Sequence, residues 1–228
     1  MDFHTHWFSP TLLTAAAVLC AVLLALCAPA AWHSLKRRPE ACLTAFSFSA
    51  FLWIMRVEAP AGQLAGIGYH LLGINLACLM LGCRTALWLA TLPITLYGLV
   101  QPAAASAAVP LNILTLALPA CAANLFIRRT AESRLPPQLF VYIFINGFFA
   151  AAFGMLLVGA AVCAVLQTSG AFSGSILWRE AYPVFFLMAW SEAFLSGILT
   201  AVFVALLPQM LATFSDNRYL KPPERIWK

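Results

Sequence analysis

The chain has 228 residues and a mean hydropathy of +0.89; 63% of its residues are hydrophobic and only 9% are charged. A soluble domain carries roughly 25% charged residues, so the composition excludes an ordinary soluble protein and predicts an integral membrane protein. The net charge of +5 comes from residues that flank apolar runs, as at a cytoplasmic membrane face, and does not predict nucleic-acid binding. No G-x-x-x-x-G-K-[ST] phosphate loop is present, which excludes ATP hydrolysis by that route.

The first ten residues, MDFHTHWFSP, form a short polar arm, and an Ala- and Leu-rich run at about 11–32 predicts the first membrane span. The sequence Ala28-Pro-Ala-Ala resembles a signal-peptide cleavage site. A signal peptide carries its positive charges before the apolar run, whereas Lys36-Arg37-Arg38 follows this one. The run is therefore predicted to stay in the protein as a helix, with the N-terminus outside.

Further apolar runs bring the prediction to about seven spans in an all-α membrane protein. The later spans are predicted at about 41–56, 70–81, 85–100, 110–127, 138–167 and 182–207. The third is short for a bilayer crossing, and the sixth is long enough to tilt or to break near Asn146-Gly147. Residues 101–109 and the stretch around Trp178-Arg179-Glu180 are predicted to be outer loops.

Basic residues are distributed unevenly over the predicted loops. Only Arg56 and Arg179 fall on the outer side. The inner side receives Lys36, Arg37, Arg38, Arg84, Arg128, Arg129, Arg134, Arg218, Lys221, Arg225 and Lys228. This asymmetry predicts a cytoplasmic C-terminus. The whole chain, 1–228, is interpreted as a single transmembrane domain of the inner (plasma) membrane, with an extracellular arm at 1–10 and a cytoplasmic tail at 208–228.

The stretch from Glu58 to His70 separates the second and third predicted spans. It contains three glycines and a proline, which makes it a poor continuous helix. Irregular backbone at membrane depth needs protein or a water-filled cavity to satisfy its polar groups. One interpretation is a segment folded into the protein near one membrane face, with His70 directed at a site. The alternative is an ordinary outer loop.

Three histidines, His4, His6 and His70, fall on the predicted outer face, whereas His33 lies beside the inner basic cluster. Imidazole is a common ligand of divalent nickel, cobalt, zinc and copper. The α-amino group of Met1 and the carboxylate of Asp2 lie close to His4 in sequence. Together these groups could form a nitrogen-rich metal site, although a solvated tail is an equally good interpretation of His4 and His6.

Two polar residues inside predicted spans also call for an explanation. Glu192 is an intramembrane acid, which is costly to bury and therefore indicates either a functional site or a carboxyl bonded to backbone or to nearby serines. Asn112 is either a hydrogen-bonding partner of the site or a helix-start residue. The seven cysteines have no metal-ligand spacing and are interpreted as small buried hydrophobic residues.

Three stretches give the chain a resemblance to a known family. They are the start MDFHTHWFSP, the segment from Arg56-Val-Glu-Ala-Pro-Ala-Gly62 to Gly68-Tyr-His70-Leu-Leu-Gly73, and Pro110-Leu-Asn112-Ile-Leu-Thr. They resemble the short extracellular start, the Pro-x-x-Gly-Thr-Ser-Gly-His segment and the Gly-Ala-Asn-x-x-Asn-Met stretch of the CbiM/NikM type. Members of this family are the membrane substrate-binding components of cobalt and nickel energy-coupling-factor uptake systems, and our chain would be a divergent member.

The resemblance implies a ligand set and partners. In the family, the N-terminal amine, a histidine at position two and the histidine of the Ser-Gly-His segment hold the metal. Met1 and His70 match this set, but position two is Asp2, so His4 or His6 would have to supply the missing imidazole. Asp2 and Asn112 are then oxygen or second-sphere partners. The family works with a transmembrane coupling protein and ATPase subunits in the lipid bilayer.

The leading hypothesis is a membrane component for uptake of a divalent transition metal, nickel or cobalt by resemblance, with zinc, copper or iron as alternatives. The metal would be substrate, with no tightly bound cofactor. The second hypothesis is a membrane-embedded assembly or interaction factor that kept the fold without transport, which the absence of a histidine at position two favours. An intramembrane enzyme built on Glu192 has no motif behind it, so no enzymatic activity is predicted.

Overall fold

The computed structural model describes residues 3–58, 67–100 and 106–220 of the chain. These residues are mostly helical. The longer elements are α1 (Pro10–Arg37), α2 (Pro39–Ile54), β1 (Arg56–Glu58), β2 (Gly68–His70), α3 (Ile74–Leu81), α4 (Cys83–Val100), α5 (Val109–Arg134), α6 (Leu139–Ser169), α7 (Gly174–Leu206) and α8 (Asp216–Tyr219). Short 3₁₀ turns cover Thr5–Trp7, Ser106–Ala108 and Pro208–Met210.

Among the described residues, four helices are long and apolar enough to cross a membrane: α1, α5, α6 and α7. Helix α2 is apolar but shorter. Helix α1 starts where the sequence predicts, because the Ser9 side chain caps it by accepting a hydrogen bond from the Leu12 amide, and Pro10 needs no donor at the first position. It continues past Trp32 through Lys36 to Arg37.

The stretch between α2 and α3 is not helical at either of its described ends. β1 and β2 pair antiparallel, with Arg56 opposite His70 and Glu58 opposite Gly68. Residues 59–66, which contain Gly62 and Gly66, lie outside the described part of the chain. The pairing places β2, which is fully buried, against the helices.

Helix α3 is shorter than predicted. The prediction that it starts at about His70 is wrong, because His70 is in β2 and the helix begins at Ile74. Gly73 has φ 66°, a left-handed conformation that interrupts the helical path and that glycine adopts at little cost. All eight residues of α3 are buried, so this helix is a central element surrounded by the others.

The C-terminal end of α3 is closed by the segment that follows α7. The last carbonyls of a helix have no partner within it. Here the amides of Ala212 and Thr213 donate to the carbonyls of Met80 and Leu79 at 3.0 and 3.2 Å. The Arg38 guanidinium also donates to the Met80 carbonyl, at 3.2 Å, and to the carbonyl of Gln209.

Helix α7 is longer than predicted. The prediction of an outer loop around Trp178-Arg179-Glu180 is wrong, because these residues belong to a π-helical turn, Leu177–Ala181, inside a helix that starts at Gly174. The Ser173 side chain accepts a hydrogen bond from the Ile176 amide and caps that start. Leu177 and Ala181 are buried, and their burial supports the helix despite the neighbouring charges.

Helix α6 does not break at Asn146-Gly147 but contains a π-helical segment, Tyr142–Phe149. A π-helical turn leaves backbone carbonyls without their usual helical partner. The Asn75 side-chain amide of α3 lies 3.1 Å from the Asn146 carbonyl and 3.0 Å from the Gly147 carbonyl. Helices α5, α6 and α7 pack side by side, and this amide joins their core to α3.

Candidate metal site

His70 is held in one orientation inside the protein. Its ring stacks on Trp53 at a centroid distance of 4.7 Å and meets the edge of Tyr97 at 5.0 Å. The side chain is only 2% exposed. Its Nδ1 lies 3.0 Å from the Trp53 carbonyl oxygen. The three groups come from β2 and from the ends of α2 and α4, so His70 sits where these elements converge.

The hydrogen bond to Trp53 fixes the histidine tautomer. A carbonyl oxygen can only accept, so the proton of the neutral ring is on Nδ1 and the lone pair is on Nε2. Metal-bound histidines in proteins usually donate their second ring nitrogen to a carbonyl or carboxylate in this way. In this tautomer, Nε2 of His70 is the ring nitrogen that could bind a metal ion.

Glu192 of α7 holds the backbone that follows His70. Its two carboxylate oxygens accept hydrogen bonds from the Leu72 amide at 3.1 Å and the Gly73 amide at 2.6 Å. Glu192 is 4% exposed, so these bonds form away from water. The intramembrane acid thus bonds to backbone, which is one of the two roles predicted for it, and it fixes the backbone between His70 and α3.

The N-terminal arm is anchored to the start of α5. The Phe3 amide donates to the Asn112 side-chain oxygen at 3.2 Å, in a buried contact. Phe3 is 1% exposed and packs against Phe8 at a ring distance of 5.1 Å. Trp7 contacts Phe172, after α6, at 5.2 Å. Asn112 is thus a partner of the arm itself.

His4 and His6 lie side by side on the arm, with their ring centroids 5.4 Å apart. Both flank Trp7, which meets the His4 ring at 4.5 Å and the His6 ring at 5.7 Å. His6 is exposed, whereas His4 is half-buried. The His4 ring therefore packs against the protein more closely than the His6 ring does.

The chain matches the family model described as the cobalt uptake substrate-specific transmembrane region, CbiM, over residues 4–210. It belongs to the CbiM family. Two solved structures share its fold, each with a TM-score of 0.77, 15% sequence identity and 90% of this chain covered. They are crystal structures of a truncated transition metal transporter, 99% covered, and of a transition metal transporter, 93% covered. No curated protein matches the chain.

Membership of the CbiM family makes the chain a transporter component and not an enzyme. It is a multi-pass membrane protein of cobalt and transition-metal transport, and the metal is a transported substrate in this family. CbiM proteins normally work with other transporter subunits. The family resemblance noted from the N-terminal arm, the His70 segment and the Asn112 stretch is therefore confirmed.

The predicted ligands of this CbiM protein fall into two described groups, the His4–His6 pair on the arm and His70 on the scaffold. Met1 and Asp2 lie outside the described residues. Within residues 3–58, 67–100 and 106–220, no group of three His, Cys, Asp or Glu side chains could hold a metal ion. His33 is exposed near the end of α1, a few residues before Lys36, Arg37 and Arg38.

Sequence reasoning missed the residues that surround His70 and α3. Trp53 and Tyr97 lie within apolar runs, where nothing separates them from packing residues. Asn75 and Asn124, which are linked by a 2.7 Å hydrogen bond and are nearly fully buried, could have been found. They are polar residues within apolar runs, and such positions need buried partners.

Proposed function

We propose that this protein captures a divalent transition metal ion at its outer face for uptake, with Nε2 of His70 as the ligand fixed on the scaffold. The observation that supports this most directly is the 3.0 Å contact between His70 Nδ1 and the Trp53 carbonyl. It sets the tautomer that a metal-bound imidazole needs, in a buried ring that stacking on Trp53 keeps from rotating.

The remaining ligands come from the arm: the Met1 amine, His4 and His6, with Asp2 and Asn112 as oxygen or second-sphere partners. The Phe3 amide is anchored on Asn112, and two residues of extended chain span about 7 Å. A metal bound between arm and scaffold would tie the arm down.

We propose seven passes through the inner membrane, with the N-terminus outside and the C-terminus in the cytoplasm. Two sets of contacts, at opposite ends of the helices, support this orientation. Phe3 meets Asn112, and Trp7 meets Phe172. At the other end, Arg38 contacts Met80, and Arg218 contacts the Glu132 carbonyl at 3.3 Å. The basic residues cluster at this second face.

We propose nickel or cobalt as the cargo and a transmembrane coupling protein with ATPase subunits as the energy source. Both proposals rest on the family, because the chain has no phosphate-binding loop of its own. Position two is Asp2 in this chain, where the family has a metal-binding histidine, so one of the family's ligands differs here. Competition among nickel, cobalt, zinc, copper and iron for the purified protein measures the resulting preference.

Equilibrium metal binding to the purified protein tests the site. His70→Ala is expected to lower nickel and cobalt affinity at least a hundredfold, because the scaffold ligand is lost. His33→Ala is the matched control, since it removes an exposed imidazole from α1, and it should bind like the parent. If His70→Ala binds as tightly as the parent, metal capture at this site is wrong, and the assembly-factor hypothesis becomes the better one.

A further inference from the structure

Three cysteines meet beside α3, although their sequence spacing does not predict it. Cys78 of α3 and Cys121 of α5 have their sulfur atoms 3.6 Å apart. Cys83, at the start of α4, lies beside Cys78, and its thiol contacts the Asn124 side-chain oxygen at 3.4 Å. Cys78 is 0% exposed and Cys121 4% exposed. Three different helices therefore contribute thiols to this region, and two of these thiols, Cys78 and Cys121, are buried.

We infer that Cys78 and Cys121 form an interior binding site for a single soft, thiophilic metal ion, of which Cu(I) is the biological representative. Thiolate sulfur selects soft ions of this kind. The described residues offer no group of three such ligands, so the four-ligand arrangement of structural zinc is not built here. A pair of thiols instead suits the two-coordinate geometry of a soft monovalent ion.

The distance between the two sulfur atoms fits such an ion. Two metal–sulfur bonds of about 2.3 Å, the length found in zinc thiolates, span about 4.6 Å when they are collinear. The observed 3.6 Å already accommodates a bent arrangement, and a linear one needs an opening of about 1 Å.

Binding of a metal ion would change the charge of the pair. Binding converts two thiols and one monovalent cation into a bis-thiolate complex with one negative charge, and two protons leave. The guanidinium of Arg128 lies near Cys83, beside the pair, and its positive charge opposes the negative charge of the complex.

This site is separate from the one proposed at His70. Ile74 to Cys78 alone covers about 6 Å along a helix, and His70 lies a further four residues before Ile74. The outer site offers imidazole nitrogen, and the inner pair offers only sulfur. The two sites therefore differ in the metals they prefer, and an ion on the thiols would link α3 to α5.

Anaerobic Cu(I) binding to the purified full-length protein tests the inference, with copper content and X-ray absorption as readouts. The parent and His70→Ala proteins should each retain one tightly bound copper with two sulfur neighbours. Cys78→Ser and Cys121→Ser should each lower affinity at least tenfold. Cys163→Ser is the matched control, because Cys163 is equally buried but contacts the Leu177 carbonyl elsewhere.

Two results would overturn the inference. One is copper binding in Cys78→Ser and Cys121→Ser that equals the parent's. The other is an X-ray absorption spectrum of copper-loaded His70→Ala with fewer than two sulfur neighbours. The second result needs no cysteine variant, so the inference is decided even if a serine variant fails to fold. Failure of divalent binding at His70 leaves both readouts unchanged and so is distinguishable.

Discussion

The Asn112 side chain anchors the N-terminal arm to α5. Asn112→Ala removes the acceptor of the Phe3 amide, and a hydrogen bond of this kind contributes about 1 kcal/mol. We expect hydrogen exchange at the Phe3 amide to become about fivefold faster, and metal affinity to fall with it. Exchange measured by mass spectrometry on the N-terminal peptide checks this. Asn217→Ala, an exposed asparagine, should change neither, and equal exchange in parent and Asn112→Ala would contradict the anchoring role.

Glu192 holds the backbone between His70 and α3 in position through two hydrogen bonds. Glu192→Ala leaves the Leu72 and Gly73 amides buried without an acceptor, and each such donor costs about 1–3 kcal/mol. Glu192→Gln keeps one acceptor oxygen and should lose about half as much stability. The thermal unfolding midpoint in detergent should therefore be highest for the parent, lower for Glu192→Gln and lowest for Glu192→Ala. The control is Glu180→Gln, at an exposed glutamate, which should unfold at the same temperature as the parent. An unfolding midpoint of Glu192→Ala equal to the parent's would exclude a stabilising role for the bonds from Leu72 and Gly73.

Much of the candidate site is visible in the sequence at the residue scale. His70, Asn112 and Glu192 stand out because each is polar within or beside an apolar run, where burial demands a partner. The identity of those partners is not visible. Trp53 binds His70 through its backbone carbonyl, and every residue has one, so no side chain marks this contact.

At the scale of elements, the glycines of α6 differ in the room that surrounds them. A Cβ at Gly147 would lie 2.9 Å from Thr200 Oγ1, whereas one at Gly154 would have its nearest neighbour at 3.6 Å. We expect Gly147→Ala to destabilise the protein by about 1–3 kcal/mol through overpacking. Gly154→Ala, in the same helix, should be neutral or stabilising because alanine favours helix. Unfolding midpoints in detergent compare the two.

The double variant Gly147→Ala/Thr200→Ala tests the cause of that loss. Removing the Thr200 hydroxyl and methyl clears two of the three close contacts at Gly147, so part of the lost stability should return. A double variant no more stable than Gly147→Ala would show that steric contact with Thr200 is not the reason. The π-helical backbone around Gly147 would then be the feature that alanine disturbs.

Helix positions were predictable where hydrophobicity alone decides them, and not where tertiary contacts do. The long apolar runs of α1, α5 and α6 lie close to their predicted positions. Helix α3 starts at Ile74 and not at His70 because Glu192, 119 positions away from Gly73, binds the amides there. Helix α7 begins before its charged residues because Leu177 and Ala181 are buried against the other helices.

At the scale of the whole molecule, the short helix α3 shows how distant parts of the chain cooperate. Glu192 of α7 satisfies the amides before its start. Ala212 and Thr213, beyond α7, satisfy carbonyls at its end. No local sequence pattern specifies either contact, because each joins segments more than a hundred residues apart. A helix of eight buried residues is stable here only because the rest of the fold caps it.

In the proposed topology, the Phe3–Asn112 and Trp7–Phe172 contacts lie on the outer side of the membrane, and the Arg38 and Arg218 contacts lie on the cytoplasmic side. Reporter fusions after Arg38, Ala104, Arg134, Gly174 and Lys228 should report cytoplasm, outside, cytoplasm, outside and cytoplasm. The physical reason is that Lys and Arg near span ends are retained on the cytoplasmic side, and Lys36, Arg37 and Arg38 lie at the C-terminal end of α1. A periplasmic reporter and a cytoplasmic reporter at each position serve as mutual controls, since each is active on only one side. A cytoplasmic result after Gly174 would contradict seven passes. It would require α6 to return to the face it left, and the Trp7–Phe172 contact would then place the N-terminal arm on the cytoplasmic side.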